Sequence, residues 1–259
     1  MSSNFTTTLM AFASLGDREL ETPWEWAGHQ GEQLSIRDAL FVSLVEEQEA
    51  AAAASPANEA ARIMCLVQGA FGHLRGLLAG VPDSLFDAEP SPGEWSLRSV
   101  LTHVLEVEHS YQNQVRYALG RREDEPIYTR NRPPPPGPDD VTGGAREWIQ
   151  RLAQARAESR EFLEITQEAL TRPTRWVGYE VDVRFRLHRF AAHIGEHTIQ
   201  CAKALAALRF EPAEAHRIAR LISAERGTHE LMSDSLTLAR LDRGHAERLA
   251  STGPAAHPA

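Results

Sequence analysis

The sequence is poor in cysteine, in aromatic side chains and in positive charge, and each shortage removes a class of protein. Cys65 and Cys201 are the only thiols, far apart and in no ligand-like cluster, so a disulfide-stapled scaffold or a cysteine-rich zinc domain has no basis. Both are expected to be buried as small apolar residues in a reducing, cytoplasmic setting. Lys and Arg number 27 against 36 Asp and Glu, and the formal net charge of −9 would repel a phosphate backbone, which argues against nucleic acid as a partner. No apolar run approaches the roughly 20 residues of a membrane span, and the stretch from Met1 to Asp17 carries no basic leader, so no membrane association is expected. Aromatic residues make up 7% and β-branched residues are sparse, which leaves little to build a sheet from.

What is plentiful is Ala, Leu, Glu and Arg, within a hydrophobic content of 42% that suffices for a buried core. The composition predicts an all-α protein. Four segments carry the clearest helical pattern: 56–79, 96–119, 141–170 and 183–208. They form two pairs, the first joined by the Pro-rich, acidic connection 81–93 and the second by 171–182, which contains Pro173, Trp176 and Gly178. Between the pairs, Pro133 to Pro136 with Gly137 and Pro138 cannot be helical, and an extended polyproline crossover is expected. A four-helix bundle with one long crossover follows.

Helix starts are marked by Ser96, by Asp139 or Asp140, and by Asp182. Residues 181–187 alternate apolar and polar, a strand-like period, but an isolated strand would lack a partner and the pattern returns to helical spacing at Leu187; helix is preferred. The flank 1–55 reads as a short helix, a turn at Trp24 and Trp26, and a helix from Ser35 with Asp38 in capping-box position. There Ser35, Ile36, Arg37, Asp38, Ala39 and Leu40 echo Ser96, Leu97, Arg98, Ser99, Val100 and Leu101, with Val42 at the step of His103. A degenerate half-repeat and shared helix-start chemistry both account for that. At the other flank, 209–250 starts with Pro212 in a first-turn position and forms one or two helices, and 251–259 is expected to be a disordered tail.

Eleven histidines raise the question of which can meet. His193 and His197, four apart on the fourth helix, lie one turn apart on one face and can reach one ion. His188 points away and reads as a surface or structural residue. The face around the pair holds Arg186, Arg189, Phe190, Glu196 and Gln200, opposite an apolar stripe through Leu187, Ala191, Thr198, Ala202 and Leu205; periodicity alone is equally compatible with that face looking at water. On the second helix His103 sits at the margin of the apolar stripe and can look into the bundle. Glu108 falls inside that stripe, where an unpaired carboxylate is costly, so it should pair with an arginine, a histidine or a metal-bound group. Glu106 lies one turn from His103 on the other margin. Either carboxylate could orient a ligating imidazole or accept a proton beside a metal, which makes Glu106 and Glu108 the candidate catalytic residues. Arg186 and Arg189, on the turns before His193, are candidates to bind a carboxylate of a substrate or cofactor.

These residues resemble the DinB superfamily of metalloenzymes, which includes thiol-dependent transferases and maleylpyruvate isomerases. Gly93, Glu94, Trp95 and Ser96 through Val100, Leu101, His103 and Val104 look like that family's Trp-Ser helix opening and its first ligand histidine. The stretch 188–200 is similar to its closing H-x-x-x-H pattern at His193 and His197, and the order matches across the long crossover. The resemblance covers roughly residues 56–208. It implies an up-down-down-up helical bundle and a divalent ion, zinc or nickel, held by His103, His193 and His197, with open positions for water or a substrate thiolate. Three neutral nitrogens would leave the ion its full charge to lower the pKa of a bound thiol or water. The function expected is activation of a low-molecular-weight thiol or water for attack on a small electrophile, as transferase, isomerase or hydrolase; the alternative is a metal-binding stress or regulatory protein without turnover. A small-molecule substrate and a possible homodimer complete the expectation.

Overall fold

The structure is a computed structural model that describes residues 3–26, 32–128 and 142–252. The expected polyproline crossover, the caps Asp139 and Asp140, and the tail from residue 253 lie outside the described residues. The chain is helical, as its composition predicts. In order come α1 (Ser3–Ala13), α2 (Asp17–Leu20), β1 (Pro23–Trp24), β2 (Leu34–Ser35), α3 (Ile36–Ala53), α4 (Glu59–Ala79), α5 (Leu97–Gly120), α6 (Ala145–Glu158), β3 (Pro173–Trp176), β4 (Tyr179–Asp182), α7 (Val183–Ala207), α8 (Glu214–His229) and α9 (Ser235–Ser251).

The starts follow from local chemistry. Asn58 accepts the Ala61 N–H (2.8 Å) at the head of α4, Ser96 the Ser99 N–H (3.3 Å) at α5 and Asp182 the Phe185 N–H (2.7 Å) at α7. Asp38 takes both the N–H and the hydroxyl of Ser35 at α3 (2.7 and 2.9 Å). At α6 the free N–H groups are met by Glu147, bound by the Gly144 N–H (3.1 Å), and by Asp83, bound by the Ala145 N–H (3.0 Å). Pro212 lies just ahead of Ala213, the residue that precedes α8, rather than inside its first turn.

Two expectations are corrected. The segment 179–182 is a strand, because the connection before it supplies the partner: β3 and β4 pair antiparallel from Pro173–Asp182 to Trp176–Tyr179. Their two-residue turn has Val177 at φ 44° and Gly178 at φ 88°, the pair of positive angles that a tight hairpin requires. The helix expected over 141–170 is shorter. It ends at Glu158, tightens into a 3-10 stretch, Ser159–Glu164, and opens at Ile165, after which a second 3-10 turn covers Ala169–Thr171. The β-branched Ile165 and Thr166 and the Thr166 hydroxyl, which accepts the Ala169 N–H (3.2 Å), favour that break.

α4 and α5 each pack on both α6 and α7, and α1 and α3 each pack on both α8 and α9. One apolar core runs through both sets, from Phe5 and Leu9 through Phe71, Leu101 and Trp148 to Ile222. The two sets meet chiefly where α4 lies along α8. Glycine makes that approach possible: a Cβ on Gly72 would stand 2.4 Å from the Ser223 carbonyl oxygen, and one on Gly227 2.4 Å from that of Gln68. Cys65 and Cys201 are buried free thiols, and burial pushes Cys201 up to about 12. Among the described residues no helix is long and apolar enough to cross a membrane.

Candidate metal centre

α5 and α7 run side by side, and the facing sides carry the three expected imidazoles. The Nε2 atoms of His103 and His193 are 3.3 Å apart and those of His193 and His197 3.0 Å, and the three offer ligand atoms within 4.8 Å of one another. Tetrahedral coordination at about 2.05 Å places ligand nitrogens about 3.3 Å apart, so the set fits a divalent ion. The protonation states fit as well. Burial, followed by the neighbouring His197 and His103, pushes His193 down to about 3, and burial with His197 lowers His103. His197 is oriented through its other nitrogen: Nδ1 lies 2.7 Å from Oε1 of Gln200, so Nδ1–H donates there and Nε2 keeps its lone pair for the centre. Three imidazole nitrogens gathered this closely, on rings that burial keeps neutral at His103 and His193, form a ligand set suited to a cation.

The surrounding side chains hold the rings in place. Trp95 meets His103 edge-on (5.4 Å between centroids) and Tyr111 meets both His193 (5.8 Å) and Phe190 (5.3 Å). The face of α7 does not simply look at water: Arg186 and His193 are buried, while His188 is exposed.

Beside the triad lies a cleft of about 610 Å³ between α5, the β3–β4 hairpin and α7, which reaches His103 and His193. Arg175, Arg186 and Arg189 line it together with Tyr111 and Trp176, and no carboxylate among the described residues does. The Arg186 guanidinium lies over the Tyr111 ring (4.8 Å) and donates to the Arg175 carbonyl, so it also ties the hairpin to α7. Arg189 stacks on Trp176 (5.0 Å) and pairs with Glu196 (3.0 Å), which raises its pKa.

The two candidate carboxylates part company. Glu106 stands near His103 in a shallow depression with Trp95, Arg98 and Thr102. Glu108 is buried and takes the arginine that its position demanded: Arg156 donates to it at 2.5 Å, Ser159 at 3.1 Å and Gln112 at 3.4 Å. It faces α6 and does not join the triad. Sequence reasoning missed Arg156, Ser159 and the hairpin wall, and it placed Gln200 on the right face without its role.

A family model, that of the DinB superfamily, matches residues 69–201, about half of the chain. The chain belongs to the DinB superfamily. The match begins within α4 and ends within α7, and so contains the three histidines of the candidate metal centre of this DinB chain. No curated protein matches the sequence.

Proposed function

We propose that this DinB protein is a metal-dependent enzyme, cytoplasmic, that uses zinc or nickel at His103, His193 and His197 to activate a low-molecular-weight thiol or water against a small electrophile. The observation that carries the reading is the convergence of three imidazole nitrogens at the wall of a cleft large enough for a small molecule. The ion, when bound, supplies Lewis acidity and lowers the pKa of a thiol or water. The chain's own residues do the rest. Three guanidiniums with no carboxylate among the described lining residues favour an anionic ligand, and Arg189, stacked on Trp176, would exchange its exposed partner Glu196 for a carboxylate of the substrate or of the thiol. Arg186 shapes the same wall and sets the hairpin. Glu106, beside His103, accepts a proton at the mouth of the site, whereas Glu108 acts on the site only by bracing α5 against α6. In this reading the catalytic unit is 56–208, with 1–55 and 209–250 as helical additions.

The test uses protein purified without added metal. Elemental analysis should find one zinc or nickel per chain, lost in His193→Ala, and the loaded protein should conjugate a low-molecular-weight thiol to a model electrophile. A loaded protein that is silent with thiols and with hydrolysable substrates supports a metal-binding stress or regulatory role instead. Arg189→Met should raise KM for an anionic substrate about tenfold or more, the loss of one charged hydrogen bond, and leave metal content unchanged. Lost metal in that variant would contradict the anchoring role.

A further inference from the structure

Two buried carboxylates of the chain have matching surroundings. Glu108 on α5 accepts from Arg156 (2.5 Å) and from Ser159 (3.1 Å), three residues apart where α6 ends. Glu47 on α3 pairs with Arg226 (3.4 Å) and with His229 (2.7 Å), three residues apart where α8 ends. The match continues backward along both helices. Ser96 and Ser35 precede α5 and α3, Leu97–Arg98 stands against Ile36–Arg37, and Leu101 against Leu40, all at the 61-residue interval that relates Glu108 to Glu47.

The last helix of each set closes over its carboxylate with one residue, Ile194 of α7 beside Glu108 and His245 of α9 on Glu47 (2.6 Å). Those two are 51 positions apart, and the same step carries Arg189 to Arg240, His193 to Gly244 and His197 to Arg248. The pairing agrees in kind, since α1 and α3 each touch α8 and α9 as α4 and α5 each touch α6 and α7, although α1 and α3 lie mainly on α8 and α4 and α5 mainly on α7. Helix-start chemistry explains the serines but not the matching carboxylate and its two partners together.

We infer that residues 3–53 and 214–251 are a second copy of the metal-site bundle, split around the first, in which a guanidinium has replaced the ion. Val42, Gly244 and Arg248 stand where the first copy has His103, His193 and His197. Arg248 is buried, with Nη1 3.3 Å from both the Ser43 hydroxyl and Nδ1 of His245, and it pairs with Glu46 through Nη2. Trp26 lies 5.8 Å from its guanidinium, although Leu34 rather than a tryptophan stands at the position of Trp95. The atoms nearest to a Cβ on Gly244 would be the side-chain ends of Arg248 and Glu46, at 3.4 Å, so a side chain can start there without meeting backbone. A groove of about 790 Å³ bordered by Trp24, Trp26, Glu46, Arg240 and Gly244 lies beside this position, the counterpart of the cleft beside the triad. A covalently attached cation thus occupies the place where the first copy gathers lone pairs.

The inference rests on the metal reading of the first copy, and the full-length chain with zinc alone as probe separates the two. Wild type should hold one zinc and His193→Ala none; a wild type without zinc sinks the reading of the triad and leaves the graft to judge the copy. In the His193→Ala background, Val42→His, Gly244→His and Arg248→His together should restore one zinc per chain and a zinc-dependent rise in Tm. A folded graft that takes up no zinc overturns the inference. Should the graft not fold, Arg248→Met and Arg248→Lys decide: Met should lower Tm by roughly 6 °C or more, as expected for removing a buried guanidinium that holds a part-buried carboxylate and a hydroxyl, and Lys should recover part of it. A Met variant as stable as wild type shows that no cation is needed there and overturns the inference equally.

Discussion

At the scale of single residues, the tautomer of His197 is the detail on which the metal centre turns. An imidazole offers a lone pair at only one nitrogen, and Gln200 decides which by accepting the Nδ1 proton at 2.7 Å. Gln200→Leu keeps the volume and removes the acceptor, so the ring loses its orientation while the helix stays. Zinc affinity should fall 10–100-fold with unchanged far-UV circular dichroism, measured by competition with a chelating dye. Unchanged affinity would mean that packing alone holds the ring. The pair His193 and His197 was legible from spacing because i,i+4 residues share a helix face. His103 was placed in the ligand set only by family resemblance, since its partners are 90 residues away. The role of Gln200 was not legible, because it depends on a ring rotation that no spacing encodes.

At the scale of elements, caps and apolar periodicity are local, and they located α4, α5 and α7 within a few residues. The errors lie where the deciding partner is elsewhere. Strand β4 needed β3, a segment read as a loop on account of Pro173 and Gly178; α6 was overextended because its apolar period continues past Ser159, where the hydroxyl has turned to Glu108. The glycines of α4 are a similar case. Read alone, Gly69, Gly72 and Gly76 only weaken a helix, yet Gly72 and Gly76 lie against the backbone of α8. Gly72→Val should therefore destabilise the protein by about 1–3 kcal/mol or more, since the backbone at Ser223 cannot yield as a side chain would. The sign opposes the helix-propensity expectation, under which losing glycine helps. Urea unfolding measures it, and a stability equal to or above wild type would show that α4 and α8 can separate without cost.

For the whole molecule, the element that ties the N-terminal helices to the C-terminal ones is a charge. Burial alone would raise the pKa of Glu47, but hydrogen bonds from His229 and His245 and the Arg226 charge outweigh it and hold the carboxyl down to about 2. These partners come from α8 and α9, more than 170 positions along the chain, which is why the union of the two flanks was not legible in sequence. A carboxyl with a depressed folded pKa stabilises the fold fully above its unfolded value of 4.5, and the contribution disappears as pH falls from there to about 2. The shift corresponds to about 3 kcal/mol. His193, kept neutral by burial, acts in the same direction from 6.5 down to about 3, so the wild-type profile alone cannot assign the loss. Comparison with Glu47→Gln does. The variant should be less stable at pH 7, because Arg226 and two imidazoles lose a shared acceptor, and the gap between the two proteins should close as pH drops from 5 toward 2. Urea midpoints measured across that range give the gap directly; one that stays constant would show that Glu47 remains charged throughout or contributes by shape alone, and that the flanks are joined by apolar packing rather than by this carboxylate.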